Sequence, residues 1–202
     1  MSRNKATNQT GFEVNSSFIG EFKSGDNLVY NLAILQVLYD AYKSTDPDRR
    51  VLLTKPIVFQ IACVVEAVLV DLALRILQHT REGVPALTPE KLAKVRKKVD
   101  KSQEHLGFRR VISIFAETNV FDEEPQFYER LVNLSTLRNR VHISNRKHME
   151  PADEGVLFLE ATKVEAEQLC EELVRNCAAT FARGPHIKYV RPFWFPWASH
   201  RG

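Results

Sequence analysis

The chain has 202 residues, 44% hydrophobic and 26% charged, with 28 Lys and Arg against 25 Asp and Glu for a formal charge of +3. This length suits one domain with a substantial core, and the composition excludes a disordered or membrane-embedded chain. The charge surplus is too small to imply nucleic acid by itself, so any such case rests on local clusters. Glycine is scarce, at eight residues, and long stretches lack glycine and proline, which favours helices over an all-β fold built on tight turns. Cys63, Cys170 and Cys177 form no CxxC or Cys/His pattern, so neither a disulfide framework nor a zinc site is expected. Cys170 and Cys177 lie two helical turns apart, about 10 Å, beyond disulfide reach.

Residues 1–25 read as a polar lead without a signal-peptide core. Residues 26–43 carry apolar residues at helical spacing, with Asp26 as the predicted N-cap. Thr54 and Pro56 are read as the opening of a second helix reaching about residue 80. Its stretch 57–77 approaches membrane-spanning length, but Gln60, Glu66, Asp71 and Arg75 make insertion costly, so a central core helix is expected. Thr88, Pro89 and Glu90 begin a very basic third helix running through Leu106, and 107–118 place Phe108, Val111, Ile112 and Phe115 on one face. Asp122 is the predicted N-cap of the next helix, to about residue 142. "VLFLE" reads as a short extended piece, and 162–182 as the last amphipathic helix. The tail, 183–202, holds both tryptophans and three prolines without helical period; packing onto the domain is favoured over binding a partner.

The stretch "TLRNRVHISN" (136–145) concentrates polar groups on the predicted helix end. At about 100° per residue, Phe127, Leu131, Leu134, Leu137 and Val141 form an apolar stripe. Arg138 falls near its middle and His142 at its edge, whereas Arg140 points away. A guanidinium so directed needs a partner or a polar cleft. On the second helix, Gln60, Asp71 and Arg75 share one face and Glu66 lies opposite, amid Phe59, Ala62, Cys63, Val70, Ala73 and Leu77. Glu66 is therefore the candidate partner of Arg138, as a structural pair or as a group that orients the arginine.

An all-α chain in which "FRRVISIFAETNVFDEE" precedes a helix ending "LSTLRNRVHI" resembles the HEPN superfamily over roughly residues 26–182, with "LRNRVHI" its specific part. The family signature of Arg, a polar residue and a later His matches Arg138, Asn139 and His142, with a gap of three residues where the family has a longer one. The i, i+4 pair remains on one helical face. No tyrosine follows the histidine closely, so the variant paired with a nucleotidyltransferase antitoxin is not indicated.

The resemblance implies an up-and-down bundle of about five to six helices with an aromatic C-terminal tail. It also implies a metal-independent endoribonuclease in a toxin–antitoxin or phage-defence setting, cutting RNA at a dimer-interface site. Arg138 and His142 would be catalytic, Asn139 and Glu66 would support them, and Arg140, Arg146, Lys147, Lys94, Lys97 and Lys98, with Arg96 and Lys101, would attract the backbone. The expected partners are RNA, a second copy of the chain, and an antitoxin or other protein. No metal, cofactor or membrane is expected, and the expected compartment is the cytoplasm. Two alternatives stand beside this: a non-catalytic HEPN-like RNA-binding or interaction scaffold, and a helical subunit docking partners through its aromatic tail. Walker, GxGxxG, HExxH and GxSxG motifs are absent from the sequence, and His105, His148, His186 and His200 lack ligand spacing.

Overall fold

The computed structural model describes residues 13–78, 86–102, 105–140, 153–183 and 191–200. Among them it contains seven α-helices and no strand, as the scarcity of glycine predicts. Helix α1 (Phe22–Ser44) buries Leu28, Leu32, Leu35 and Tyr39. It begins a turn before Asp26, which is exposed within the helix and caps nothing. The segment entering α1 is instead anchored from α2: Asp71 takes a hydrogen bond from the Gly20 N–H at 2.7 Å, with the Glu21 N–H and the Ser24 side chain as further donors. An anchor supplied by another helix leaves no local sequence signal.

Helix α2 (Val51–Gln78) also starts early, because a 3₁₀ turn at Pro47–Arg49 leads directly into it and the Leu53 N–H already bonds Arg50. Thr54 is thus a buried helical residue rather than a cap, and Pro56 lies inside the helix. By length and composition α2 could cross a membrane, yet it is packed by α1, α3, α4, α5 and α7. It is the central helix of the bundle.

Thr88 caps α3 (Pro89–Asp100) by accepting from the Lys91 N–H at 3.2 Å, as predicted. The helix stops at Asp100 rather than Leu106: the Lys101 N–H is shared by the Lys97 and Val99 carbonyls, and the Ser102 hydroxyl bonds that of Lys98. Phe108, Val111, Ile112 and Phe115 of α4 (Phe108–Thr118) are all buried.

Asp122 does not cap α5 (Pro125–Asn139). It has a left-handed backbone (φ 54°) and pairs with Lys91 at 2.5 Å, and Glu124 holds the N-cap position. The turn is organised by Asn119, itself at φ 44°, a conformation asparagine tolerates. Its Oδ1 accepts from the Tyr128 hydroxyl at 2.9 Å and the Glu123 N–H at 3.1 Å, while the Phe121 N–H donates to Tyr128.

"VLFLE" is not extended. Asp153 caps a one-turn helix α6 (Glu154–Leu157), and Phe158 packs edge-on against Phe59 at 5.4 Å. Helix α7 (Glu160–Thr180) then runs beside α1 and α2, burying Leu169, Cys170, Leu173, Val174 and Cys177. The described part of the tail packs back. Trp197 and Phe195 are buried and stacked at 4.5 Å, Trp197 Nε1 donates to Glu171 at 2.6 Å, and Phe193 forms a β-bridge with Val14.

Candidate functional site

Helix α5 carries its apolar stripe into the core through Phe127, Leu131 and Leu134, and Leu137 packs on the margin. One turn after Leu134 the stripe delivers Arg138 to the side of α2. Its Nη2 lies 2.9 Å from Glu66 Oε2, so the predicted partner is the one found. The arginine side chain is 41% exposed and the glutamate 22%. The pair therefore joins a helix end to the middle of α2 without being sealed in the core, and such a pair contributes at most about 1 kcal/mol to stability.

Cys63, one turn before Glu66, also faces the guanidinium; burial raises its thiol above the ordinary value, while Arg138 acts in the opposite sense. Asn139 is exposed, with Oδ1 3.4 Å from Arg138 Nη1. Arg138, Asn139 and Glu66 are thus brought together, and Cys63 joins them unpredicted. His142, Arg146 and Lys147, together with Val141, His148 and His186, lie outside the described residues.

The basic residues of α3 divide. Arg96 donates from Nε to the Ile76 carbonyl at 2.8 Å, serving the C-terminal end of α2. Lys98 is paired with Glu117, while Lys94 and Lys97 are exposed. A different pair of cations stands beside α5. Arg109 Nη1 donates to Thr136 at 3.3 Å, one turn before Arg140, and Arg110 Nε donates to Ser102 at 3.0 Å. Both sit in the first turn of α4, where cations oppose the helix dipole. The "FRR" at 108–110 was the signal available in the sequence.

The other face of α2 is covered as well. Gln60 bonds Asn31 on α1 at 2.5 Å; Asp71 and Arg75 are buried, and Arg75 Nη1 donates to the carbonyls of Phe18 at 3.0 Å and Phe181 at 2.5 Å. These charges tie chain segments together. A second polar cluster, unpredicted, lies between α1 and α7: buried Lys163 contacts Glu160 at 2.9 Å and Glu167 at 3.2 Å and sits 4.4 Å from the Tyr42 ring centre. Tyr39 and Tyr42 donate to Glu167 and Glu160, each at 2.5 Å. Burial raises both phenols, that of Tyr42 to about 12. With its donors and acceptors matched inside the fold, this cluster is a structural clamp.

A groove of about 570 Å³ between α4 and α5 is lined by Ala116, Asn119, Glu123, Pro125, Tyr128, Glu129, Val132 and Asn133. Two carboxylates and no cation make it a poor place for phosphate. No protein-family model, curated protein or solved structure matches this chain.

Proposed function

We propose that the protein is a metal-independent endoribonuclease of HEPN type, cutting RNA in the cytoplasm in a toxin–antitoxin or phage-defence role, with two chains contributing to the site. The observation that carries this reading is the Arg138–Glu66 pair. A carboxylate on α2 fixes one side of the guanidinium at 2.9 Å while the side chain stays 41% exposed, four positions before His142. An arginine held in this way can meet a phosphodiester without first being ordered, which lowers the entropic cost of binding. In the proposed reaction the 2′-oxygen of RNA attacks the adjacent phosphorus and the 5′-oxygen leaves. One imidazole accepts the 2′-proton, a second protonates the leaving oxygen, and arginine stabilises the charge on the phosphate. One histidine cannot readily serve both steps at once, so a two-fold pair of chains supplies the acid and the base.

A non-catalytic RNA-binding scaffold is the second reading, favoured by the same pair: donors committed to Glu66 and facing Asn139 are fewer donors for a transition state. The experiment is incubation of purified protein with single-stranded and structured RNA in EDTA, beside His142→Ala and Arg138→Ala. Products ending in 2′,3′-cyclic phosphate, absent with folded variants, are expected. A folded wild-type protein that cuts none of these RNAs overturns the nuclease reading in favour of the scaffold.

A further inference from the structure

We infer that Arg109, Arg110 and Lys101 form a phosphate track that holds single-stranded RNA across the ends of α3, α4 and α5, an inference resting on the RNA-directed reading of Arg138. Four observations support it.

The first is position. The C-terminal end of α3, the N-terminal end of α4 and the C-terminal end of α5 meet: Arg110 bonds Ser102 just beyond α3, and Arg109 bonds Thr136 in the last turns of α5. Lys101, the C-cap of α3, is exposed at the same level. Packed helices lie about 8–10 Å apart, so a path over three of them spans about 16–20 Å, room for a few nucleotides of single strand. Its α5 end, at Thr136, lies about one turn before Asn139, whose Oδ1 stands 3.4 Å from Arg138 Nη1.

The second is what these cations do not do for the fold. Cations at a helix C-terminus are explained by the dipole, but Arg109 and Arg110 stand in the first turn of α4, which contains no acidic residue. Both side chains are exposed and contact neutral hydroxyls of Thr136 and Ser102 rather than carboxylates. A local arrangement that costs the helix stability without a compensating ion pair marks a site shaped for something else. A polyanion meets both needs.

The third is how nearby carboxylates are engaged. Glu117 is held by Lys98 and Ser113, which lower its carboxyl below the ordinary value, with Arg110 adding a smaller effect in the same direction; Glu66 is held by Arg138. Asp100 precedes Lys101 on α3.

The fourth is contrast. Several other cations of α3 and α5 meet acids or carbonyls: Lys91 pairs with Asp122, Lys98 with Glu117, Arg130 with Glu172, and Arg96 bonds the Ile76 carbonyl, whereas Lys94 and Lys97 are exposed. Hydroxyl partners leave the charge of Arg109, and most of that of Arg110, which acts only weakly on Glu117, for an incoming strand.

The test is fluorescence anisotropy of a labelled, unstructured 12-nucleotide RNA over a series of salt concentrations. It compares wild type, Arg109→Gln/Arg110→Gln, and a charge-matched control, Lys23→Gln/Lys43→Gln, on the exposed side of α1, with folding checked by circular dichroism. The arginine variant is expected to bind at least tenfold more weakly near 0.1 M salt. Its salt slope should be shallower by about 1.4, or about 0.7 for each lost phosphate contact on a single strand. The α1 control should stay within threefold of wild type. DNA of the same sequence should bind within a few-fold of RNA, because the track reads phosphates. Unchanged affinity and slope in the arginine variant, equal loss in the α1 control, or tighter binding to anionic lipid vesicles than to RNA would overturn the inference. If wild type binds through these arginines but cuts nothing, the nuclease reading fails and the track stands; if it cuts and the arginine variant binds normally, the reverse holds.

Discussion

Helix α2 carries charges on two sides, and their surroundings differ. Toward α1 and α7, Asp71 and Arg75 are buried and hold backbone groups: the Gly20 N–H on one hand, the Phe18 and Phe181 carbonyls on the other. Toward α5, Glu66 meets the half-exposed guanidinium of Arg138. Charges in the first setting hold distant segments in register and are expensive to disturb, because removing one partner leaves a desolvated group behind. In the second setting water covers part of the pair, so stability depends on it little and its exposed edge can meet a ligand. Depth, more than residue type, separates the charges that lock the fold from those that stay accessible here.

Four experiments press on this distinction. Lys163→Met, which leaves Glu167 buried, should show the largest effect, a loss of about 4 kcal/mol in urea denaturation, within the range for breaking one side of a buried pair. A loss below 1 kcal/mol would mean that the clamp between α1 and α7 is not structural. Asp71→Ala removes the acceptor at the start of α1 and should cost about 2 kcal/mol, as an orphaned buried donor does. Hydrogen exchange should speed up first at residues 20–24, and uniform acceleration would argue against a local anchoring role.

Glu66→Gln should invert this pattern: stability within about 1 kcal/mol of wild type and, for the nuclease proposed above, RNA cleavage reduced about tenfold as Arg138 loses its anchor. Equal damage to both would return the pair to the structural class. The smallest effect concerns pH. Burial raises the Asp71 carboxyl above its ordinary value. Its contribution to stability is therefore fully present below about pH 4, the unfolded carboxyl range, and is lost as pH rises through the folded value. Asp71→Asn does not titrate yet retains an acceptor for Gly20. Its stability relative to wild type should therefore improve from pH 4 to pH 7, and a constant difference would contradict the raised carboxyl.

Periodicity carried much of this architecture into view. The buried faces of α4 and α5, the Thr88 cap and the direction of Arg138 all follow from local repeats, and Glu66 was found because it interrupted an apolar face. The errors share another physical origin. Asp26, Thr54 and Asp122 have the chemistry of caps, but the helices begin where Asp71, the turn at 47–49 and Asn119 dictate. All three determinants act through tertiary or turn geometry rather than through a cap residue at the helix start. The extended reading of "VLFLE" failed similarly, since Asp153 winds its first residues into a turn. In the candidate site, Arg138 and Glu66 were legible because each stood out on its own helix, whereas Arg109 and Arg110 acquire meaning only when α4 is laid beside α5.

The bridge between Val14 and Phe193 gives synthesis a timetable. Phe195 and Trp197 follow directly, the latter packing on Tyr39 and donating to Glu171, so α1 and α7 share a cover made by segments far apart in the chain. A nascent chain that has released α7 from the ribosome still lacks that cover, and Tyr39 remains open along the side Trp197 will close. Until residues 193–197 emerge, an apolar seam is available to chaperones or to another nascent copy. Closing this seam therefore waits on residues 193–197, which leave the ribosome after α7 does, and the bundle is vulnerable in the interval between the two.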